Sequence, residues 1–575
     1  MKLKATDYIA RYLHAQGVTH AFELVGGMIT VLVDSLHQNG NVTLVSVQHE
    51  QAAAFAAEGM GRMTGVPGVA MATSGPGATN LLTAIGSCYF DSTPAVFITG
   101  QVNRHELRGD RAIRQLGFQE TDIVAMVGPI SKAAWCVERT EDIPELLERA
   151  FVVARSGRPG PVLLDIPMDV QRGTIDLPDP ELAVVPEPLP PAEQQVSRVL
   201  LQLAQAQRPL IIAGGGIRSA RAIESFRRFA EQVGVPAVHS LMAVDALPHN
   251  HPLRVGMLGS YGNRWSNLAV DRADMLLVLG SRLDIRQTGA DTEAFKGQRT
   301  IVHVDCEPGE INNRVLGCEA IEAELPAFFE VAARQADASP LDHHAAWIEE
   351  LADLRRQWPD TAELRDIKGI NPNAFMHALS DLSRAAAAYV VDVGQHQMWA
   401  AQSLDLQPHQ RFLTSGGMGA MGFGLPAAVG AAMASPGRPV VMIAGDGSFQ
   451  LNIQELQTVV RNALPLKLVV LNNHCHGMVR QFQQSYFDER YPSTLWGYST
   501  PDFAKLAMAY GIAARAVADP ADLVAALEWL WSDPLAPALL EVTIDTLANA
   551  YPKMAFGLPI TEMEPLAKPI AMEST

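Results

Sequence analysis

Basic side chains are scarce in this chain of 575 residues: 44 Lys and Arg stand against 62 Asp and Glu, a formal charge of −18 at pH 7. A surface of that sign repels the phosphates of nucleic acids and anionic membranes, so neither is expected as a partner. Cysteine is sparse too, with five residues at 88, 136, 306, 318 and 475. An odd number without a paired short spacing fits reduced thiols in a cytoplasmic protein, not a disulfide framework or a zinc site. No uninterrupted apolar run reaches the roughly 18 residues that a membrane span needs. The opening MKLKATDYIARYL has a cationic start but no long apolar region or small-residue cleavage site. It reads as an amphipathic first helix rather than a signal peptide.

What is present is an ordinary globular composition, 48% hydrophobic, on a chain too long for one core and long enough for about three domains. Two breaks in composition divide it. DLPDPELAVVPEPLPPAEQQ, from 176 to 195, is rich in Pro and acids and is expected to be a stiff, solvated linker. A charged, partly helical stretch from about 336 to 369 reads as a second surface connection. The expected domains are therefore 1–178, 190–335 and 365–550. Each alternates short apolar strands with amphipathic helices: VTLVSV, GVAMAT, AVFITG and PVLLDI; then PLIIAGGG, MLLVLG and TIVHVD; then AYVVDVG, PVVMIAGDG, KLVVLNN and ALLEVTI. The expected fold class is α/β, three doubly wound parallel sheets. The first and last pieces match in size and pattern, which hints at a duplicated domain.

The stretch GDGSFQLNIQELQTVVRNALPLKLVVLNN, 445 to 473, reads as strand, helix, strand, with Leu456, Val459, Val460 and Leu464 at helical spacing. Parallel strands of such a unit end on one edge, so Asp446 and Asn472/Asn473 arrive together where open α/β sheets bind ligands. A carboxylate, an amide oxygen and backbone carbonyls suit Mg²⁺ or Ca²⁺. Gly445 and Gly447 let a phosphate approach the backbone, and Ser448 can donate to it. The plain alternative is a tight turn whose Asp caps a helix. Upstream, VQHEQAAAFAAEG places Glu50 at the mouth of an Ala-rich helix, where an acid is either favourably placed on the helix dipole or buried enough to exchange a proton with a ligand. ATSGPGATN is a Gly-rich turn, a feature that on its own usually means only a strand-to-helix connection. In VVDVGQHQMWAAQ a strand delivers Gln395 and His396 to its carboxyl edge. SGGMGAMGFGLPAA follows, with Gly enough for a ring to lie on the backbone and Met421 as an apolar wedge.

Taken in order along one chain, these motifs resemble those of thiamine diphosphate-dependent enzymes, and among them the large, catalytic subunits of acetolactate (acetohydroxyacid) synthases. TSGPGATN, FITGQV, GFQETDIV, GRPGPVLLDIP and the GDG to NN interval extend the likeness over nearly the whole length. The resemblance implies a pyrimidine-binding, a central and a diphosphate-binding domain, in a homodimer or homotetramer. Glu50 of one chain would then face the diphosphate site of another. It implies that Asp446, Asn473 and the Cys475 carbonyl hold Mg²⁺, and that Gln395, His396, Gly445, Gly447 and Ser448 hold the diphosphate. Met421, with Met478 nearby, would bend the cofactor, and the Gly419 carbonyl would accept from its 4′-amino group. Glu50 would serve N1′, and Phe118 and Gln119 would orient substrate. The central piece is similar to a flavin domain, with Arg158, Gly214, Gly215, Leu241, Met242, Gly280, Arg282, Asp284, Arg286 and Asp305 where that family contacts FAD. Related enzymes leave this domain empty or use it for ADP.

The implied reaction decarboxylates pyruvate and passes the two-carbon hydroxyethyl unit to a second carbonyl compound, giving acetolactate or an analogue. Several positions depart from the family: Met168 stands for a Lys, Phe482 for a Trp, Ser260 and Tyr261 for a Met-His pair, and Met28 for an Ala. Loss of a cation and gain of volume leave open an alternative acceptor, a neutral ketone or aldehyde such as a nucleotide-linked keto sugar. A binding protein without turnover would have lost its acid or its metal ligands, and these are retained. A simple pyruvate decarboxylase is disfavoured, since the chain's one His pair, 343 and 344, falls in the second connection.

Overall fold

The computed structural model describes residues 2–176, 180–185, 187, 190–335 and 344–570. It forms three α/β domains, each around a six-stranded, wholly parallel sheet. The N-terminal sheet holds β1 (His20–Leu24), β2 (Thr43–Ser46), β3 (Gly68–Ala72), β4 (Ala95–Gln101), β5 (Ala133–Cys136) and β6 (Pro161–Pro167), in spatial order 2-1-3-4-6-5. The central sheet holds β7 (Pro209–Ala213), β8 (Ala237–His239), β9 (Arg254–Met257), β10 (Met275–Leu279), β11 (Thr300–Asp305) and β12 (Glu319–Glu322), in order 9-8-7-10-11-12. The C-terminal sheet holds β13 (Ala388–Val391), β14 (Arg411–Leu413), β15 (Val440–Gly445), β16 (Leu466–Asn472), β17 (Ala513–Val517) and β18 (Ala538–Thr543), in order 14-13-15-16-18-17. The expected fold class is what the chain adopts. The inner strands β3, β4, β6, β7, β10 and β16 are buried along their whole length, as strands covered by helices on both faces must be.

Strand order reverses between β1 and β3, between β7 and β10, and between β13 and β15. At each reversal the connections leave in opposite directions and open a crevice outside the carboxyl ends. The segments after β13 and β15, which carry Gln395, His396 and Asp446, flank one crevice; Gly214, Gly215 and Gly280 flank another.

The first and third domains pack through two helices, Glu50–Thr64 and Gly424–Met433, whose small residues admit close backbone contact. A Cβ on Gly59 would lie 2.2 Å from the Ala427 carbonyl oxygen, and one on Gly430 1.9 Å from that of Ala56. Phe55 and Phe423 meet edge to face across the same contact, with centroids 5.5 Å apart.

Some expectations need correction. The Pro-rich segment is not wholly solvated: Ala183 is buried against the first domain, its N–H donating to Gln16 Oε1 (3.0 Å) and its carbonyl accepting from Arg155 (3.0 Å). The rest of that expectation, at 177–179, 186, 188 and 189, lies outside the described residues, as do 336–343 of the second connection, including His343. Beyond them, helix Ala345–Gln357 is no mere surface link. Trp347, Leu351 and Leu354 enter the central core, and Trp347 Nε1 donates to the Pro209 carbonyl at 3.0 Å. The single helix expected after Asp446 is broken into Asp446–Phe449, a tight run Gln450–Glu455, and Leu456–Arg461. The break is at Asn452 (φ −132°), whose side chain leaves to bond the Gly422 carbonyl (2.8 Å) and Gln51 Oε1 (3.2 Å). The start is a strand, Lys2–Lys4, followed by the expected helix, Ala5–Ala15. No helix among the described residues is long and apolar enough to cross a membrane, and all five cysteines are free thiols.

Candidate active site

At the C-terminal crevice, β15 delivers Asp446 into the interior, where burial raises its carboxyl to about 7. Its Oδ2 is enclosed without a hydrogen-bond partner, a costly state for a group of this charge. The two Asn residues at the end of β16 diverge. Asn472 Nδ2 donates to Glu541 (2.8 Å), a support within the sheet, whereas Asn473 Nδ2 donates to Gln395 Oε1 (3.1 Å) and its Oδ1 accepts from the Cys475 N–H (3.3 Å). The turn that follows them places His474 at φ +54°. Burial holds the Cys475 thiol up at about 11, so it stays protonated, with Sγ directed at the Thr546 carbonyl (3.5 Å). Among the described residues no three His, Cys, Asp or Glu side chains group to chelate a metal. A cation at Asp446 would therefore depend on amide, carbonyl and ligand oxygens, the donor set of a hard ion.

Gln395 and His396 begin helix Gln395–Ser403. Burial drives the His396 imidazole down to about 3, so it is neutral, and its Nε2 is enclosed without a partner. Side chains have no room beside it: a Cβ on Gly445 would sit 2.9 Å from His396 Nδ1, and one on Gly447 2.7 Å from the His476 ring. Ser448 is turned inward, exchanging hydrogen bonds with Gly445 at 3.2 Å. Met478 is half-buried in the first turn of helix Gly477–Tyr486. Gly419 takes φ +66° in the Gly-rich segment before Gly424, and Met421 is half-buried beside it.

A second cluster forms at the carboxyl edge of the N-terminal sheet. Glu50 is buried in the first turn of its helix, accepting from Asn80 Nδ2 at 2.9 Å on Oε2. A Cβ on Gly77 would lie 3.3 Å from Glu50 Oε1, and one on Gly75 3.0 Å from Gln119 Cβ. The Gly-rich turn thus draws Glu50 and Gln119 together, and Gln119 takes φ +64°. Phe118 beside it is 79% exposed. Within one chain this cluster reaches the C-terminal domain through Gln48 N–H to Glu455 (2.9 Å) and Asn452 to Gln51.

The central crevice gathers part of the remaining set. A Cβ on Gly214 would be 2.0 Å from the Gly280 carbonyl oxygen, and one on Gly215 2.8 Å from Met242 Cβ, with Leu241 in the same turn. Asp284 is spent as a helix cap to Arg286 and Gln287 and as a partner of Arg282 (3.0 Å). Arg158 is engaged by Glu310 at 2.6 Å, Asp305 is raised by burial, and Arg286 is exposed.

Three family profiles match: "Thiamine pyrophosphate enzyme, N-terminal TPP binding domain" over residues 3–126, the central domain of such enzymes over 196–330, and their C-terminal TPP binding domain over 392–542. Beyond domains, the chain is 38% identical to acetolactate synthase isozyme 2 large subunit of Escherichia coli, over 98% of this chain and 99% of that protein. The chain belongs to the acetolactate synthase family of thiamine pyrophosphate enzymes. It is 40% identical to the acetolactate synthase large subunit of Parasynechococcus marenigrum (95% and 88% covered) and 34% to that of Lactococcus lactis (97% and 95% covered). Thiamine pyrophosphate, equivalently thiamine diphosphate, is thus the cofactor of this family member, and the neutral-carbonyl alternative is not favoured.

The departures noted in the sequence of this thiamine diphosphate enzyme take defined places. Met168 opens a short helix after β6. Met28 is held by Thr73 and Gln171 (3.2 and 2.8 Å). Phe482 packs against Tyr486 with ring centroids 4.8 Å apart and planes tilted by 48°. Ser260 donates to the Arg286 carbonyl, and the Tyr261 carbonyl accepts from Gln402 at 2.8 Å. Sequence reasoning missed Asp392, Asn80 and Gln481. Asp392 accepts from the N–H groups of Val393, Gly422 and Gly424 (2.7, 3.0 and 2.7 Å), and Gln481 accepts from Gln395 (3.1 Å). The Asp that follows the apolar run of AYVVDVG was the available signal for the first, since an acid after a buried strand needs partners.

Proposed function

We propose that the protein is an acetolactate-forming transferase that decarboxylates pyruvate and joins the two-carbon unit to a second 2-oxo acid. When bound, thiamine diphosphate supplies a nucleophilic carbon and an electron sink for the decarboxylation. Asp446, the Asn473 side chain and the Cys475 carbonyl hold Mg²⁺, which neutralises the diphosphate. Neutral His396, Gln395 and the backbone at Gly445, Gly447 and Ser448 hold the diphosphate oxygens. Met421 and Met478 shape the cavity around the cofactor, and the Gly419 carbonyl orients its amino group. Glu50, steadied by Asn80, exchanges a proton with the cofactor's ring nitrogen. Gln119 and Phe118 orient the 2-oxo acid. In the central domain, Arg158, Gly214, Gly215, Leu241, Met242, Gly280, Arg282, Asp284, Arg286 and Asp305 line an FAD site whose flavin has no net redox task. The protein is cytoplasmic and works as a homodimer or homotetramer, Glu50 of each chain serving its neighbour's cofactor.

The observation that carries this reading is the pair of enclosed, unpartnered atoms, Asp446 Oδ2 and His396 Nε2, at one topological reversal. An enclosed acceptor for a cation beside a buried, unpartnered ring nitrogen matches a polar ligand such as a metal diphosphate. The test is to purify the protein, record its visible spectrum for flavin, and follow pyruvate consumption and acetolactate formation with and without thiamine diphosphate and Mg²⁺. Turnover that needs both supports the reading. Product formed only after a neutral aldehyde or ketone is added overturns the acceptor, and pyruvate consumption indifferent to the cofactor overturns the whole.

A further inference from the structure

The Gly-rich segment that carries Gly419 and Met421 is fixed at both ends by buried carboxylates, and the two belong to different domains. At its far end Asp392, from its own sheet, takes the N–H groups of Gly422 and Gly424. At its near end the carboxylate is Asp91, from the N-terminal domain: Oδ2 accepts from the Gly416 N–H at 3.0 Å and Oδ1 from the Gly417 N–H at 2.6 Å. Behind Asp91 stands Arg62, in the last turn of the Glu50 helix. It donates to Asp91 (2.8 Å), Glu58 (2.5 Å), Thr93 Oγ1 (3.1 Å) and the Thr414 carbonyl at the root of the segment (2.6 Å). Ser87 adds a contact to Ser415 Oγ (3.2 Å), which itself accepts from the Ala420 N–H (3.1 Å). Asp91 and Glu58 are fully buried and Arg62 nearly so.

We infer that Asp91, backed by Arg62, is a positioning residue for the cofactor. It pegs the segment bearing Gly419 and Met421 from the N-terminal domain of the same chain. Cohesion between the domains does not require it. The apolar contact of the two small-residue helices already joins them, and a buried ionic cluster is a poor source of net stability compared with hydrophobic packing. What the cluster adds is register. Two charge-assisted N–H bonds to one carboxylate fix consecutive peptide planes, and a Cβ on Gly417 would meet Asp91 Oδ1 at 2.9 Å, so the segment sits as close as backbone allows. Between the two pegs only Met418 to Met421 are left to meet a ligand.

The inference rests on the roles proposed above for Met421 and Gly419, and the experiment separates the two. Thiamine diphosphate with Mg²⁺ is titrated into the full-length chain, followed by tryptophan fluorescence. Exchange of the bound cofactor's C2 proton into deuterated water is timed by NMR after quenching. Asp91→Asn keeps the shape and removes the charge. The expected result, in a variant shown to be folded, is cofactor affinity weakened about tenfold or more, as weakening charge-assisted bonds would give, and slowed exchange. Combined with Met421→Ala, the loss should fall short of the product of the two single losses, because both act through one segment. Ser87→Ala, a milder loosening of the same anchor, should weaken affinity by a smaller factor and keeps the test decisive if Asp91→Asn does not fold. Unchanged affinity and exchange in a folded Asp91→Asn, or in Ser87→Ala where that variant alone folds, overturns the inference. An Asp91→Asn effect that persists while Met421→Ala is silent supports the peg and overturns only the role given to Met421.

Discussion

Asp446 shows at the scale of one residue why a ligand site differs from a stable core. Its carboxyl is raised to about 7 by burial, and one oxygen has no partner, so the cofactor-free fold bears an uncompensated polar group. Asp446→Asn removes the buried charge, and with it the cation's anionic anchor, while leaving a polar amide in the same place. The variant is expected to melt no lower than the parent without ligands, but to lose most of the rise in melting temperature that Mg²⁺ with thiamine diphosphate gives the parent. Thermal unfolding with and without the two ligands checks this; an undiminished rise would clear Asp446 of any part in binding. Much at this scale was legible. Glu50, Gln395, His396 and Asp446 each follow a strand, and a strand-end side chain is placed by the sheet itself. The division of labour between Asn472 and Asn473 was not, because it depends on Glu541 and Gln395, some seventy residues away on either side along the chain. Asp392 was hidden for the same reason, since an Asp after a strand looks alike whether it caps a turn or anchors a segment thirty residues downstream.

At the scale of elements, the Glu50 and Gly424 helices approach until glycine is obligatory. Gly430→Ala would drive a methyl to within 1.9 Å of the Ala56 carbonyl oxygen, a clash with backbone that cannot rotate aside. The expected cost is about 1–3 kcal/mol, the usual range for overpacking, read by denaturant unfolding; an unshifted midpoint would mean the helices have room to part. A second joint is electrostatic. His377 lies between Asp360 (2.9 Å) and Asp405 (3.1 Å), and Asp405 also holds His249 of the central domain at 2.7 Å. Burial opposes the charged imidazole, but the hydrogen bonds it donates to both carboxylates raise its pKa from 6.5 to about 10. A group raised on folding stabilises fully below its unfolded pKa and loses that contribution as pH climbs toward the folded value. The stability lost on His377→Gln should therefore be greatest near pH 6 and shrink steadily up to about pH 10. Urea unfolding across that window tests it, and a constant difference would show that the imidazole's charge is irrelevant. Strands followed a related rule of visibility. Most inner, doubly covered strands were plain as apolar runs, whereas β1, β5, β8, β9, β12, β14 and β17 went unseen. Five of these seven are edge strands, and β17 is mostly exposed with no continuous apolar signal; the two inner ones are β8, only three residues long, and β1, whose run is interrupted by Glu23.

Over the whole molecule, the first and third sheets share one strand order while the central one follows the order 3-2-1-4-5-6. The likeness hinted at by size and pattern is thus a likeness of topology. The two connections were less legible, because Ala183 and Trp347 are buried by partners that composition does not reveal. If Glu50 serves a neighbour's cofactor, two defective chains can repair one another. Glu50→Gln alone should cut turnover by about a hundredfold or more, the worth of a positioned proton-transfer group, and Asp446→Ala should abolish it through the metal. In a mixed dimer, the chain with intact Asp446 meets the chain with intact Glu50, so one site of the pair is whole and the other lacks both groups. Random mixing of equal amounts makes about half of all dimers hybrid, and so about one quarter of parental activity should return. Recovery to that level after co-expression, with neither variant active by itself, requires a shared site. No recovery in dimers shown to be hybrid would place Glu50 and Asp446 of one chain in the same cavity, and the assembly would then have no part in building the active site.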